Sequence, residues 1–201
     1  MPTSERIKVW QKGFDEITDQ FFARFGGLSE RDLNWKPDSQ SWSIAQIIDH
    51  LIVINSSYFE VFREIEQNNY RMPLWGHLSF LVAFFGRLVS QSVQPDRRKK
   101  IKTFSIWEPQ QSQISDEILN RFREHQSLLK AHVSSFAKAI EQGKVIASPA
   151  NKFVVYKLET AVDILLAHEK RHFQQAVEIM DLMNEMRDGA PSVSDQKDRE
   201  A

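Results

Sequence analysis

Four stretches of the chain carry apolar residues at alternating spacings of three and four. In the first, Ile7, Trp10, Phe14, Ile17 and Phe21 form one stripe along a helix. Phe25-Gly26-Gly27 is expected to end it, because glycine accepts the left-handed conformation of a helix C-terminus. The second stripe runs Ile44, Ile47, Leu51, Ile54, Tyr58, Val61 and Ile65, and Ser43-Ile44-Ala45-Gln46 fits a capping box at its start. The third stretch opens at Ser115-Asp116-Glu117, a cap followed by acidic first-turn residues. Its stripe is Phe122, Gln126, Leu129, Val133, Phe136 and Ile140, closed by Gly143. The fourth is Leu158, Ala161, Leu165, His168, His172, Gln175, Ile179, Leu182 and Met186.

Four long amphipathic helices predict an all-α protein built as a four-helix bundle. No run shows the period-two alternation of strands, so none is expected. The connection between the second and third helices is long, from about residue 69 to 114, and a crossover of that length lets those two helices lie parallel. It holds an apolar run, Leu78 to Val89, with Phe80, Phe84 and Phe85 around all sides of a helix. Such a helix is expected to be buried as a lid on the bundle, as a dimer contact or as a wall of a substrate pocket. Residues 1–187 read as a single domain, and 188–201 as a polar, disordered tail.

Composition narrows the function. The 201 residues include no Cys, which excludes a disulfide scaffold, a zinc finger, an iron–sulfur cluster and a cysteine nucleophile. The formal charge of -1 gives no basic field of the kind that attracts nucleic acid. Met1 to Trp10 lacks the apolar core of a secretory signal, and the apolar run at 78–89 is too short to cross a bilayer. A soluble cytoplasmic protein acting on a small molecule, without nucleic acid or membrane partners, is the expectation.

One feature of the fourth stripe breaks the apolar pattern. His168 and His172 occupy successive core positions, where two imidazoles without partners are costly. Residues four apart stack on one helix face, so both rings can reach a single metal ion at about 2.0–2.1 Å. A third ligand must come from another helix. His50 falls in the apolar arc of the second, three residues after Ile47 and four before Ile54. Three imidazoles leave a coordination position open for water or substrate.

These segments resemble the DinB/YfiT-like family of metal-binding four-helix bundles. The matching residues are Trp35-Lys36-Pro37, Ser41-Trp42-Ser43-Ile44-Ala45-Gln46-Ile47-Ile48-Asp49-His50-Leu51, and His168-Glu169-Lys170-Arg171-His172-Phe173-Gln174-Gln175. The resemblance covers roughly residues 5–186, with the specific motifs confined to about two dozen positions. It implies a bundle whose second and third helices are joined by a long crossover. It also implies one divalent metal, zinc or nickel, on three histidines that map to His50, His168 and His172. Some relatives transfer low-molecular-weight thiols such as bacillithiol, mycothiol or glutathione to electrophiles. Without a cysteine in this chain, any such sulfur must come from a cosubstrate thiol.

His168-Glu169-Lys170-Arg171-His172 also matches H-E-x-x-H, the zinc-protease pattern. A protease needs a further ligand downstream and a sheet edge for the peptide. Only 29 residues follow His172, no strand is expected, and Glu178 turns away from the pair. Glu169 is still a candidate general base, with a solvated surface carboxylate as the competing reading. Gln175, on the histidine seam, is a candidate hydrogen-bonding support behind a ligand, as is Gln46, although Gln46 most simply completes the capping box. His125 and His132 stand seven apart, about 10.5 Å along the axis, too far to share one ion directly. Arg97 to Lys100 reads as a solvated turn or as an attractor for an anionic thiol. The expected activity is metal-assisted transfer or hydrolysis, against a non-catalytic metal- or ligand-binding bundle and possible homodimers.

Overall fold

A computed structural model describes residues 1–94, 105–109 and 111–188. The elements in chain order are α1 (Thr3–Phe25), the single turn α2 (Glu30–Leu33), α3 (Ile44–Glu66), α4 (Ser79–Ser92), α5 (Ile118–Ser135), α6 (Ala137–Glu141), the strands β1 (Val145–Ser148) and β2 (Asn151–Lys157), and α7 (Leu158–Asp188). Short 3-10 turns at Leu74–His77 and Ser105–Trp107 lie in the connection between α3 and α5. The tail from 189 and the basic run Arg97 to Lys100 fall outside the described residues. Among the described residues no helix is long and apolar enough to cross a membrane.

The all-α expectation is met: α1, α3, α5 and α7 form the bundle. Each of α1 and α3 packs against both α5 and α7. Side-chain pairs set the directions. Asp49 meets Arg121 at 3.6 Å and Glu66 meets His132 at 2.8 Å, so α3 and α5 run parallel. Arg6 meets Glu159 at 2.7 Å and Arg24 meets Asp181 at 2.8 Å, so α1 and α7 also run parallel. The long crossover therefore does what its length allows.

The four stripes bury as two apolar clusters stacked along the bundle. One gathers Ile7, Trp10, Phe14, Tyr58, Phe62 and Leu165. The other gathers Ile17, Phe21, Ile47, Leu51, Phe122 and Ala176. Between Leu165 and Ala176 on α7, around Leu51 and Ile54 on α3, and between Phe122 and Leu129 on α5, the side chains turn polar. His50, Asn55, His125, Gln126, Glu169 and His172 are all buried at these levels. The fold thus carries a polar belt between two greasy halves, and His50 and His172 lie in it.

Three local expectations are corrected. The strands are present although none was expected: β1 and β2 pair antiparallel with Val145 opposite Lys157 and Ile146 opposite Tyr156. Val155 and Tyr156 point to opposite faces, and both are fully buried. With both faces covered there, the period-two signature vanishes. Gly26 is right-handed, with φ -65°, and its N–H continues the ladder to the Phe22 carbonyl. Gly143, at φ 63°, does take the left-handed conformation. The third helix starts at Ile118 after an uncapped Glu117, with the Ser115 hydroxyl accepting from the Glu117 N–H instead. It also breaks at Phe136. Ser134 and Ser135 donate to the carbonyls of Lys130 and His132, competing with the helical ladder. The helix α4 lies on β2 and α7 and leaves Phe80, Phe84 and Leu88 exposed.

Candidate metal centre

The centre is assembled from one turn of α3, one turn of α7 and a carbonyl of the connection. The capping box at the start of α3 forms as expected, with Ser43 and Gln46 each bonding the other's backbone N–H. It fixes the helix seven residues before His50. The Gln46 side-chain amide also donates to the Gln111 carbonyl at 2.8 Å and so ties the connection to the start of α3.

His50, His168 and His172 come together: each offers a ring nitrogen, and the three nitrogens lie within 4.8 Å of one another. His168 Nε2 and His172 Nε2 are 3.0 Å apart. Two imidazoles on a tetrahedral ion at 2.0–2.1 Å stand about 3.3 Å apart, so this pair is already at chelating distance. The His50 Nδ1–H donates to the Trp107 carbonyl at 2.6 Å. A carbonyl only accepts, so the bond fixes the tautomer and leaves Nε2 with a free lone pair. Trp42 closes one side, its ring nearly parallel to His172 at 6.3 Å and 4.8 Å from His50.

Burial keeps all three rings neutral, the form that binds a metal. His50 is lowered to about 4, chiefly by burial, against the opposing pull of the Trp107 carbonyl. His172 is lowered to about 3 by burial and then by the charges of His50 and Arg171. His168 lies well below its ordinary value for the same kinds of reason. His168 is only half-buried as a residue, but its Nδ1 is shielded from solvent. The Nδ1 atoms of His168 and His172 are both buried without a hydrogen-bond partner. Whichever way protons are placed on the pair, at least one buried ring nitrogen is left unmet. A shared cation removes that conflict, and the donor set fits a divalent ion.

Glu169 lies elsewhere than on the surface. It is fully buried, and its Oε1 accepts from Asn55 Nδ2 at 2.7 Å and Gln126 Nε2 at 2.8 Å. The solvated-carboxylate reading is therefore corrected: the turn between His168 and His172 aims position 169 into the gap between α3 and α5. Burial raises its pKa to about 7 against those two hydrogen bonds. Its carboxylate is not one of the atoms that converge on the site. Gln175 neighbours His172 and favours its protonated form, without a close bond to Nδ1.

Asn55, Trp107 and Arg171 are the residues that sequence reasoning passed over. Arg171 donates to the Ser92 carbonyl at 2.7 Å and holds its charge beside His168 and His172. Gln126 carried a signal, since a glutamine within an apolar stripe needs a buried partner. The backbone acceptor at Trp107 carried none.

The family model of the DinB superfamily matches residues 14–176, a span that takes in all three histidines. The uncharacterized protein YuaE of Bacillus subtilis (strain 168) is 26% identical over 175 residues, covering 83% of this chain and 94% of its own length. No solved structure matches significantly. On the family match, seated on this bundle and this trio of rings, the chain belongs to the DinB superfamily.

Proposed function

We propose that the protein is a divalent-metal-dependent enzyme acting on a small electrophilic molecule, by transfer of a low-molecular-weight thiol or by hydrolysis. The observation that carries this reading is the convergence of three neutral imidazoles, two buried and one half-buried, with the His50 lone pair aimed by the Trp107 carbonyl. His50, His168 and His172 would hold the ion; three imidazoles suit zinc or nickel. Such an ion acts as a Lewis acid and lowers the pKa of a water or thiol.

The chain's own groups supply the rest. Arg171 sets a fixed positive charge beside the site, which favours an anionic reactant such as a thiolate. Trp42 shields one side of His50 and His172 from water. Glu169, with a pKa near neutrality and Oε2 without a hydrogen-bond partner, is the proposed proton acceptor. Gln46 and Gln175 are the proposed supports, the first through the connection and the second beside His172.

The test is elemental analysis of protein purified without a His tag, followed by assays of electrophile loss with and without added thiol. About one equivalent of metal with thiol-dependent loss supports transfer. Thiol-independent loss points to hydrolysis. Bound metal without turnover of any electrophile or ester leaves a non-catalytic binding bundle, and no metal at all removes the reading.

A further inference from the structure

The outer face of α4 serves neither the bundle nor the three-histidine centre. Phe80, Phe84 and Leu88 stand exposed along it, one per turn, and Leu74, Leu78 and Phe153 are exposed elsewhere, on the preceding turn and on β2. By contrast α1 exposes Val9 and α5 exposes Leu128, each alone on its helix. From side-chain sizes and exposures, Phe80, Phe84 and Leu88 offer roughly 300 Å² of apolar surface, the size of the largest patch on an ordinary monomer. A stable interface needs about 800 Å² from each partner. The ridge supplies the apolar centre of one half, and Leu81, Ala83 and Arg87 flank it. Residues 95–104 and 189–201 are mostly polar or charged, so in composition they are poor covers for it.

The shape of the patch points to another helix. Phe80, Ala83, Phe84 and Arg87 surround a hollow of about 310 Å³. Those four positions are i, i+3, i+4 and i+7, the set that forms a hole for one side chain of a facing helix. Phe80, Phe84 and Leu88 form the ridge next to it, one residue per turn. Knob and hole therefore sit on the same face of the same helix, as an isologous interface requires.

We propose that two copies of the chain associate through this face, α4 against antiparallel α4, about a two-fold axis near Phe84. Each Phe84 enters the hollow of its partner, and Phe80 packs opposite the partner's Leu88. Arg87 is the only charged side chain of α4. About the axis, each Arg87 lies opposite its partner's Leu81, so the two guanidinium groups stand about 9 Å apart along the helix and do not meet head-on. The pairing is independent of whether the three imidazoles hold an ion.

Sedimentation equilibrium of the full chain tests this. The expected result is a species of twice the 23.5 kDa chain mass at tens of micromolar. Phe84→Asp should weaken association about 100-fold or more, with helical circular dichroism and metal content unchanged. If that variant misfolds, Ala83→Glu fills the hollow from an exposed position and should act alike. Because the chain has no cysteine, Phe84→Cys should oxidise to a disulfide-linked dimer, while Leu128→Cys on α5 should not. A wild-type chain that stays monomeric at 200 μM overturns the proposal, including one that instead floats with phosphatidylcholine–phosphatidylserine vesicles. So does a dimer that survives both Phe84→Asp and Ala83→Glu, or equal cross-linking at 84 and 128.

Discussion

The protein holds two groups of buried or half-buried histidines, and only one of them looks like a metal centre. His50, His168 and His172 present nitrogen to nitrogen. His125 and His132 instead clasp Phe59, whose ring lies 4.9 Å from the first and 4.8 Å from the second. Burial is common to both groups: it lowers His125 to about 4, the same value as His50. Low proton affinity therefore does not distinguish a ligand from a core histidine. The aim of the lone pairs does. An aromatic ring fills the space between His125 and His132 that an ion would need, and His132 spends its Nδ1 on Glu66 at 2.8 Å.

The sharpest way to break this contrast is to remove one ring from each group. His168→Ala should cut metal content from about one equivalent to nearly none and abolish activity, because two imidazoles hold a divalent ion orders of magnitude more weakly than three. His125→Gln should leave metal content unchanged. Equal retention of metal by both variants, measured by elemental analysis, would refute the distinction.

The tie between the groups is the next target. Glu169 follows His168 on α7, yet bonds Gln126, the neighbour of His125. Glu169→Ala leaves two buried amide donors unpaired over a new void and should cost roughly 3–5 kcal/mol in denaturant unfolding. Glu169→Gln keeps the volume and should cost less, while slowing any turnover that needs a proton acceptor.

A smaller effect follows from acid. His125 is neutral in the fold down to about 4 but titrates near 6.5 when unfolded. Between those values the unfolded chain binds more protons. The contribution is thus complete above about 6.5 and is lost as pH falls towards 4. It amounts to at most about 3 kcal/mol. Metal-free His125→Gln should show a shallower acid loss than metal-free wild type by that amount. Least of all should Glu66→Gln matter: its pair with His132 is partly solvated, so stability should change by under about 1 kcal/mol with metal content unaltered.

Much of this was legible in the sequence, for physical reasons that differ from place to place. The stripes of α1, α3 and α5 name residues that are almost all buried, because a helix shows its inner face at a fixed period. On α7 the seam holds through Ile179, but then passes to Met183 and leaves Leu182 and Met186 exposed. His50 was legible because it interrupts an apolar arc. The hairpin was not, since Val155 and Tyr156 are adjacent and both buried. Glu169 was misplaced because one helix viewed alone does not reveal that Asn55 and Gln126 wait opposite. The break at Phe136 comes from hydroxyls bonding backward, which apolar spacing does not record.

The bond between His50 and the Trp107 carbonyl spans 57 residues of chain. His168 and His172 are neighbours by virtue of one helical turn, but the ring of His50 is aimed by a part of the molecule outside the four long helices. Closing a loop of that length costs more entropy than completing a turn. The direction of one of the three rings therefore rests on a contact that the four long helices do not make among themselves. A shortened connection that joined α3 to α5 just as well would keep His50, His168 and His172 and lose the latch that turns the first of them inward.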